Sequence, residues 1–284
     1  MLSRLRTYAS FVRVSHSVFA LPFALAGMLL AARTQPVTVA QVAWVVAAMV
    51  CARSAAMGFN RLVDARFDAV NPRTAGRELP RGAMSRREAV LFVGLASVAF
   101  MFAAFQLGWL CFALAPVALA IVFWYSLAKR FTWTTQLFLG LAMAVAPVGG
   151  WLAAGGRGGL EPWLLALAIG LWVGGFDVLY ACQDLAVDRA HGLQSIPVRF
   201  GVARSLAISR MMHGGAVASL ASLALIVPLG WVYLAGVGAV ALLLVYEQSL
   251  VSARDLSQVK RAFDLNGFVG ILYVIVTAIA IYVA

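Results

Sequence analysis

The sequence predicts an all-α, polytopic membrane protein with nine transmembrane helices. Of its 284 residues, 63% are hydrophobic and only 12% are charged, whereas an ordinary soluble domain has about 25% charged residues. Apolar runs of about eighteen or more residues recur along the chain, and such runs are long enough to cross a bilayer as a helix. Helices are expected because a segment in lipid must satisfy its own backbone hydrogen bonds.

The apolar runs give the predicted spans in chain order. They are residues 16–33, 37–60, 88–106, 109–127, 134–154, 161–183, 205–227, 229–250 and 263–283. Arginines precede the first run, as they do in a signal peptide. A first membrane helix nevertheless fits a chain with eight further spans better.

The Lys and Arg residues predict the orientation. Nineteen of the 22 lie at the N-terminus or in the connections after even-numbered spans, whereas Arg33 and Arg157 lie on the opposite side and Arg53 lies within span 2. Positively charged loops stay in the cytoplasm. The N-terminus and these connections, which would form cap loops, are therefore expected in the cytoplasm and the C-terminus outside. The net charge of +11 does not indicate a nucleic-acid partner, because it is spread over short loops.

A polar segment after span 2 carries the first candidate site. Asn60, Asp64 and Asp68 are spaced four residues apart, so on a helix their oxygen-bearing side chains share one face. Five arginines follow: Arg73, Arg77, Arg81, Arg86 and Arg87. Carboxylates with guanidiniums close behind them suit a metal ion that holds a phosphorylated ligand.

A second polar segment, after span 6, repeats this spacing. Asp184 and Asp188 are four residues apart, and Asp177 and Tyr180 precede them on the same helical face. The four side chains would form one polar stripe that runs into the membrane. A carboxylate at the membrane centre costs about 2.5–3.5 kcal/mol and is seldom left without a partner. Span 6 contains no Lys or Arg, so a ligand or metal is the expected partner of Asp177.

The matching pairs indicate an internal duplication whose helices face each other across a central cavity. We expect one membrane domain, residues 1–284, with repeat halves 16–130 and 134–250 and a ninth helix at 263–283. A single Asp pair often only solvates a helix end. Two matching pairs, each followed by arginines, favour a ligand site.

The donor types predict magnesium at this site. Mg²⁺ prefers oxygen ligands, keeps several waters and is commonly bound through a few carboxylates together with phosphate oxygens. Two carboxylate pairs can hold two such ions with a diphosphate between them. Zinc is disfavoured, because its preferred His and Cys ligands are nearly absent from both segments.

The two motifs resemble those of the UbiA superfamily of membrane prenyltransferases. N-x-x-x-D-x-x-x-D after span 2 and D-x-x-x-D after span 6 are similar to the family's paired motifs. Residues 73–82 resemble its R-T-x-x-R-P-L-P-x-G loop, and Tyr125 with Lys129 resembles its Y-x-x-x-K. Two residues depart from the pattern: Arg61 stands where many members have an acidic residue, and Glu78 replaces a proline of the loop.

The resemblance implies Mg²⁺-dependent transfer of a polyprenyl group from a polyprenyl diphosphate to an aromatic ring. It implies that the metal ligands are Asn60, Asp64, Asp68, Asp184 and Asp188. Asp177 and Tyr180 would join the four motif aspartates as catalytic residues, orienting the acceptor hydroxyl or accepting the released proton. The expected substrate-binding residues are Arg53, Arg73, Arg77, Tyr125, Lys129, Arg130 and Arg199.

The acceptor implied by the resemblance is a small hydroxyaryl carboxylate. Residues 191–201 and the N-R-x-x-D start of the first motif are most similar to bacterial members that prenylate 4-hydroxybenzoate or, in futalosine-route menaquinone synthesis, a dihydroxynaphthoate. This implies a role in respiratory quinone synthesis at the inner membrane, in contact with membrane lipid. Haem O, chlorophyll and archaeal-lipid prenyltransferases are alternatives within the family.

Two other classes of protein use intramembrane aspartates. A divalent-cation transporter or channel would conduct through the Asp stripe, but spans 2 and 6 become apolar away from the motifs. A CDP-alcohol phosphotransferase would need a compact D-x-x-D-G…D-x-x-x-D pattern on adjacent helices, which the sequence lacks. Both alternatives are therefore weaker than the prenyltransferase.

Overall fold

The computed structural model describes residues 7–8, 10–12, 20–34 and 36–282, and within these ranges the chain is helical and contains no strand. Helices of twelve or more residues are α1 (Leu21–Ala32), α2 (Val39–Val70), α3 (Arg86–Gln106), α4 (Trp109–Ala128), α5 (Thr135–Ala153), α6 (Glu161–Ala181), α7 (Ile196–Ile226), α8 (Gly230–Ser249) and α9 (Val259–Tyr282). The prediction of an all-α chain is confirmed for these ranges.

Seven of the described helices are long and apolar enough to cross a membrane: α2, α3, α4, α5, α6 with its extension to Ala190, α8 and α9. The protein is therefore a multi-pass membrane protein, as predicted, but two of the nine predicted spans are not among these seven. Helix α1 has only twelve described residues, and residues 13–19 before it lie outside the described ranges. Helix α7 is long enough, but Arg204, Arg210 and His213 lower its mean hydropathy.

Helix α2 continues beyond the predicted end of its span. It begins at a capping box in which Thr38 and Gln41 satisfy each other's backbone amides. It then runs without interruption to Val70, ten residues past the predicted end at residue 60. The connection to α3, residues 71–85, is called the arginine loop below. A second capping box, formed by Ser85 and Glu88, fixes the start of α3 directly after this loop.

The second motif does not lie on one continuous α-helix, as the predicted stripe requires. Helix α6 ends at Ala181, a 3₁₀ turn spans Cys182–Asp184, and a short helix, Leu185–Ala190, follows. A 3₁₀ turn has about 3.0 residues per turn rather than 3.6, so Asp184 is rotated relative to the face predicted from an unbroken α-helix.

The main apolar core is formed mostly by α1 and the helices from α5 onward, with Val45 of α2. Helices α1 and α5 pack with their backbones in contact, because glycines face the contact. A Cβ at Gly150 would lie 1.9 Å from the carbonyl oxygen of Ala24, and one at Gly27 would lie 2.1 Å from that of Pro147. Small residues allow such close packing between membrane helices, and here they join α1 to the second half of the chain.

The two ends of the helical bundle differ in character. Helices α2, α4 and α6 finish at the end where both aspartate motifs lie, which is called the motif end below. Helices α4, α6 and α8 begin at the opposite end, and each has an exposed tryptophan within its first three residues: Trp109, Trp163 and Trp231.

Candidate active site

The first motif lies on one face of α2. Asp64 and Asp68 are buried, with 3% and 6% of their surface exposed. The Nδ2 of Asn60 donates to Oδ2 of Asp64 at 3.4 Å. The unbroken helix thus places the three side chains as their spacing predicts.

Two cations from the end of α4 contact Asp64. The Nζ of Lys129 lies 2.6 Å from Oδ2, and Nη2 of Arg130 lies 3.0 Å from Oδ1. Arg130 also donates to the carbonyl oxygen of Val63 at 2.7 Å. Each oxygen of the buried carboxylate therefore has its own charged donor, which meets the need of a buried charge for a partner.

Asp68 is paired by the arginine loop. Nη1 of Arg77 donates to both carboxylate oxygens, at 2.7 and 2.8 Å. The hydroxyl of Thr74 donates to the backbone carbonyl of Asp68 at 3.1 Å. These contacts fold the loop back over the end of α2.

The second motif is held by the same loop. Arg73 donates through Nε and Nη2 to the two oxygens of Asp184, while its Nη1 donates to the Tyr180 hydroxyl at 2.9 Å. Nδ2 of Asn71 donates to Asp184 at 3.1 Å. Burial lowers the pKa of the Arg73 guanidinium, but the hydrogen bond and charge of Asp184 offset this effect, so that pKa lies above its ordinary value. A residue of the first half thus completes the second motif.

Asp177 and Asp188 lie at the edge of this network. Both are partly buried and lie within electrostatic range of Asp184, Lys129 and Arg73. Within the described residues, neither carboxylate has an ion pair with Lys or Arg. The structure therefore brings both residues to the site and gives them weaker partners than the other three aspartates.

Arg53 and Tyr125 lie deeper in the membrane than the motifs. Arg53 is two helical turns before Asn60 on α2, and its charge interacts with Tyr125 of α4. The Nε atom of Arg53 is buried and has no hydrogen-bond partner among the described residues. A donor without a partner in this position suits an anionic ligand.

Arg199 is the predicted site residue that the structure does not bring to the network. Its guanidinium lies over the Trp133 ring, 5.1 Å from the centroid, and over Phe200 at 5.6 Å. The side chain is exposed. Arg199 was expected to bind substrate, but its place in the sequence does not report which way the side chain turns.

Several site residues were missed from the sequence. Asn71 and Thr74 tie the loop to the motifs, yet neither side chain is charged. Arg61 and Glu78, which depart from the family pattern, pair with each other: Nη1 and Oε2 are 3.9 Å apart, and each residue is only 4% exposed. Their opposite charges within one polar segment were the signal that could have revealed the pair.

The donor set fits Mg²⁺ accompanied by a phosphate ligand. Among the described residues, no group of three or more His, Cys, Asp and Glu side chains converges enough to hold a metal ion. Mg²⁺ does not need such a cage, because one or two carboxylates with waters and phosphate oxygens are enough. The cations that now pair with the carboxylates are also the groups that would bind phosphate.

Known proteins match this chain in sequence and in fold over most of its length. A 4-hydroxybenzoate octaprenyltransferase from Citrobacter koseri is 32% identical over 234 residues, which cover 81% of this chain and 80% of that protein. The apo structure of a UbiA homolog from Aeropyrum pernix K1 matches with a TM-score of 0.84 and 37% identity, covering 91% of this chain and 95% of that chain.

A UbiA homolog from Archaeoglobus fulgidus, bound to GPP and Mg²⁺, shares the fold with a TM-score of 0.75 at 18% identity, over 98% of this chain and 100% of that one. The profile of the UbiA prenyltransferase family matches residues 20–274. These matches confirm the resemblance and the prediction of an enzyme, and they favour it over an ion transporter. With paired aspartate motifs at one end of its helices and a family match over most of its length, this chain belongs to the UbiA prenyltransferase family.

Proposed function

We propose that the protein transfers a polyprenyl group from a polyprenyl diphosphate to the ring of 4-hydroxybenzoate or a dihydroxynaphthoate, with Mg²⁺ as cofactor. The observation that carries the proposal is the convergence of both aspartate motifs with Arg73, Arg77 and Lys129 at one end of the bundle. The 4-hydroxybenzoate octaprenyltransferase name of a 32% identical relative supports this acceptor class.

Binding of the diphosphate would replace the ion pairs of the site with contacts to metal and to phosphate. Asn60, Asp64, Asp68, Asp184 and Asp188 would hold Mg²⁺, in our proposal two ions. Bound metal would neutralise the diphosphate and improve it as a leaving group. Arg73, Arg77, Lys129 and Arg130 would then turn from the carboxylates to phosphate oxygens, so the charges in the site remain compensated before and after binding.

The transfer replaces a carbon–oxygen bond by a carbon–carbon bond. The diphosphate leaves with the bonding electron pair, and the allylic cation that remains is attacked by the electron-rich acceptor ring. The ring then loses a proton, for which Asp177 is our candidate acceptor, with the Tyr180 hydroxyl orienting the acceptor. Aromatic faces at this end, including Phe67 beside Lys129 and Phe263 beside Tyr180, suit an electron-poor carbon.

Arg53 is our candidate for holding the acceptor's carboxylate. It lies inside α2, two turns from Asn60, with a buried donor that has no partner among the described residues. Its neighbour Tyr125 could contact the acceptor ring. Arg53 thus offers an anionic acceptor a positive charge within the membrane, where few charges occur.

The proposal includes an arrangement in the membrane. We propose nine spans in one domain of two repeat halves around a central cavity, with the arginine loop as a cap over the diphosphate. The motif end would face the cytoplasm and the C-terminus the outside of the inner membrane, in accordance with the distribution of Lys and Arg.

The test is a prenyl-transfer assay with membranes that contain the protein. Incubation with geranyl diphosphate, Mg²⁺ and either acid should give a prenylated acid by mass spectrometry, and EDTA should abolish it. Membranes with the Asp64→Ala variant are the matched control. Activity that survives both EDTA and Asp64→Ala would overturn the proposal, and cation flux into proteoliposomes without prenyl transfer would support the transporter instead.

A further inference from the structure

A buried ion pair lies beside the first motif, outside the residues that touch a diphosphate in the proposal above. Arg61 of α2 and Glu78 of the arginine loop are each 4% exposed, and their charged groups are 3.9 Å apart. The second oxygen of Glu78 accepts a hydrogen bond from the Ser10 hydroxyl. Three separate segments of the chain therefore meet at one carboxylate.

The backbone of Glu78 is also the point at which the arginine loop turns back. Its carbonyl oxygen accepts from the amide of Ala83 at 2.9 Å and from that of Met84 at 3.3 Å. Met84 is buried in a small apolar cluster with Phe11 and Leu62. Both the side chain and the backbone of Glu78 thus attach the loop to α2 and to the N-terminal segment.

The neighbouring residue in sequence faces the catalytic side. Arg77 contacts Asp68, while Glu78, one residue later, contacts Arg61. Arg73, four residues before Arg77, reaches Asp184. A shift of the loop at Glu78 would move both arginines, because they share its backbone.

We propose that Arg61 and Glu78 form a buried clamp that sets the position of the arginine loop, and that they are positioning residues for Arg73 and Arg77. The clamp has a second consequence. Arg61 lies three residues before Asp64 on α2, so its cation is within reach of the motif face. Pairing with Glu78 draws this charge away from the motif carboxylates and leaves them for the metal and the loop cations.

The kinetic part of the test rests on the proposed function. Glu78→Gln and Arg61→Gln should each raise KM for geranyl diphosphate about tenfold with a smaller change in kcat, because misplaced binding groups weaken substrate positioning. The double variant R61Q/E78Q should be less impaired than either single variant, since it leaves neither a buried cation nor a buried carboxylate without its counter-charge. A merely structural role would lower Tm without this pattern in KM.

Limited trypsin digestion of the purified protein tests the clamp without the enzyme assay. Arg81 lies exposed in the loop, and its cleavage should be about fivefold faster in Glu78→Gln if the loop has lost an attachment. The matched control is Asp264→Asn, which removes an exposed ion pair with Lys260 outside the site and should change neither cleavage nor KM.

Each outcome has a defined meaning. Unchanged cleavage at Arg81 in both single variants would overturn the clamp, and so would a double variant whose defects equal the product of the two single defects. Faster cleavage with no prenyl transfer in the unaltered protein would support the clamp while rejecting the proposed function.

Discussion

Asp64 and Asp68 lie on the uninterrupted helix α2, whereas Asp184 and Asp188 lie beyond the end of α6, where a 3₁₀ turn gives way to a short helix. The first pair is buried and every carboxylate oxygen has a cationic donor from the first half of the chain. In the second pair, Asp184 depends on Arg73 and Asn71 from the other half, and Asp188 has no ion pair with the described Lys and Arg residues.

The two aspartate pairs therefore have equal spacing in the sequence but different ion-pair partners in the structure. The first motif is charge-compensated within its own half of the chain. The second motif is completed by the arginine loop, so its charge balance depends on a contact between the two halves of the chain. Two motifs with the same spacing can thus differ in which part of the chain supplies their cations.

The largest expected effect tests whether the first motif contributes more to catalysis than the second. Asp64→Asn should lower kcat/KM about 1,000-fold, because it removes a proposed metal ligand and leaves Lys129 and Arg130 facing a neutral amide. Asp188→Asn should cost about tenfold to 100-fold, since its carboxylate is the least engaged of the four. Steady-state prenyl-transfer kinetics of both variants would measure the difference.

Equal losses for Asp64→Asn and Asp188→Asn would remove the functional distinction between the motifs. The amount of folded protein in the membrane must be matched between the variants, for example by size-exclusion chromatography in detergent. A deeper loss for Asp188→Asn would reverse the comparison and make the second motif the principal metal site.

A smaller effect is expected when the two loop arginines are changed to lysine. Arg73 uses three nitrogens, two toward Asp184 and one toward Tyr180, and a lysine cannot reproduce this fork. Arg77 contacts Asp68 through one nitrogen only, which a lysine ammonium can replace. Arg73→Lys should therefore raise KM for geranyl diphosphate about tenfold or more, and Arg77→Lys about threefold or less.

The two lysine variants are each other's control, because both keep the positive charge. If Arg77→Lys proves as harmful as Arg73→Lys, charge geometry matters equally at both motifs. The contact across the halves would then have no special importance.

The smallest effect on activity is expected from a substitution at the contact between α1 and α5, away from the site. Gly150→Ala would place a Cβ 1.9 Å from the Ala24 carbonyl oxygen, whereas Gly149→Ala meets nothing within 4 Å. The first change should destabilise the protein by about 1–3 kcal/mol through overpacking, and the second should have little effect. Thermal unfolding in detergent would measure both.

Gly150→Ala separates two ways of holding the motifs together. If the ion pairs across the halves position the site, residual prenyl transfer below Tm should be nearly normal despite the lower stability. A large rise in KM, measured with equal amounts of folded protein, would show instead that the contact between α1 and α5 determines the geometry of the site.

The sequence was most informative where one short-range rule was enough. The spacing of four residues between Asn60, Asp64 and Asp68 predicted that they share one helical face. This prediction was correct because α2 continues as a regular helix through all three. The same rule was wrong after Ala181, because nothing in the spacing announces a 3₁₀ turn. Two further predicted spans stay predictions: span 1 begins outside the described residues, and span 7 corresponds to a helix whose mean hydropathy is lowered by Arg204, Arg210 and His213.

Contacts between distant residues were the part that the sequence left undetermined. Arg73 and Arg199 are both arginines close to a motif in sequence, yet one pairs with Asp184 and the other lies over Trp133. The choice depends on how each loop turns. The pairing of Arg61 with Glu78 also depends on how the arginine loop turns back. The sequence showed two unusual charges, but it did not show that they form an ion pair.

The exposed tryptophans at the end opposite the motifs have a consequence for how deep the reaction takes place. Indole rings favour the headgroup level of a bilayer. Trp109, Trp163 and Trp231 would therefore anchor three helices at one membrane–water interface. A helix such as α4, with 20 residues, spans about 30 Å at 1.5 Å per residue. If these tryptophans lie at one boundary of the bilayer, Lys129 and its partner Asp64 would lie close to the opposite boundary. A long-tailed substrate would meet the site with its phosphates at headgroup level and its tail already in the hydrocarbon.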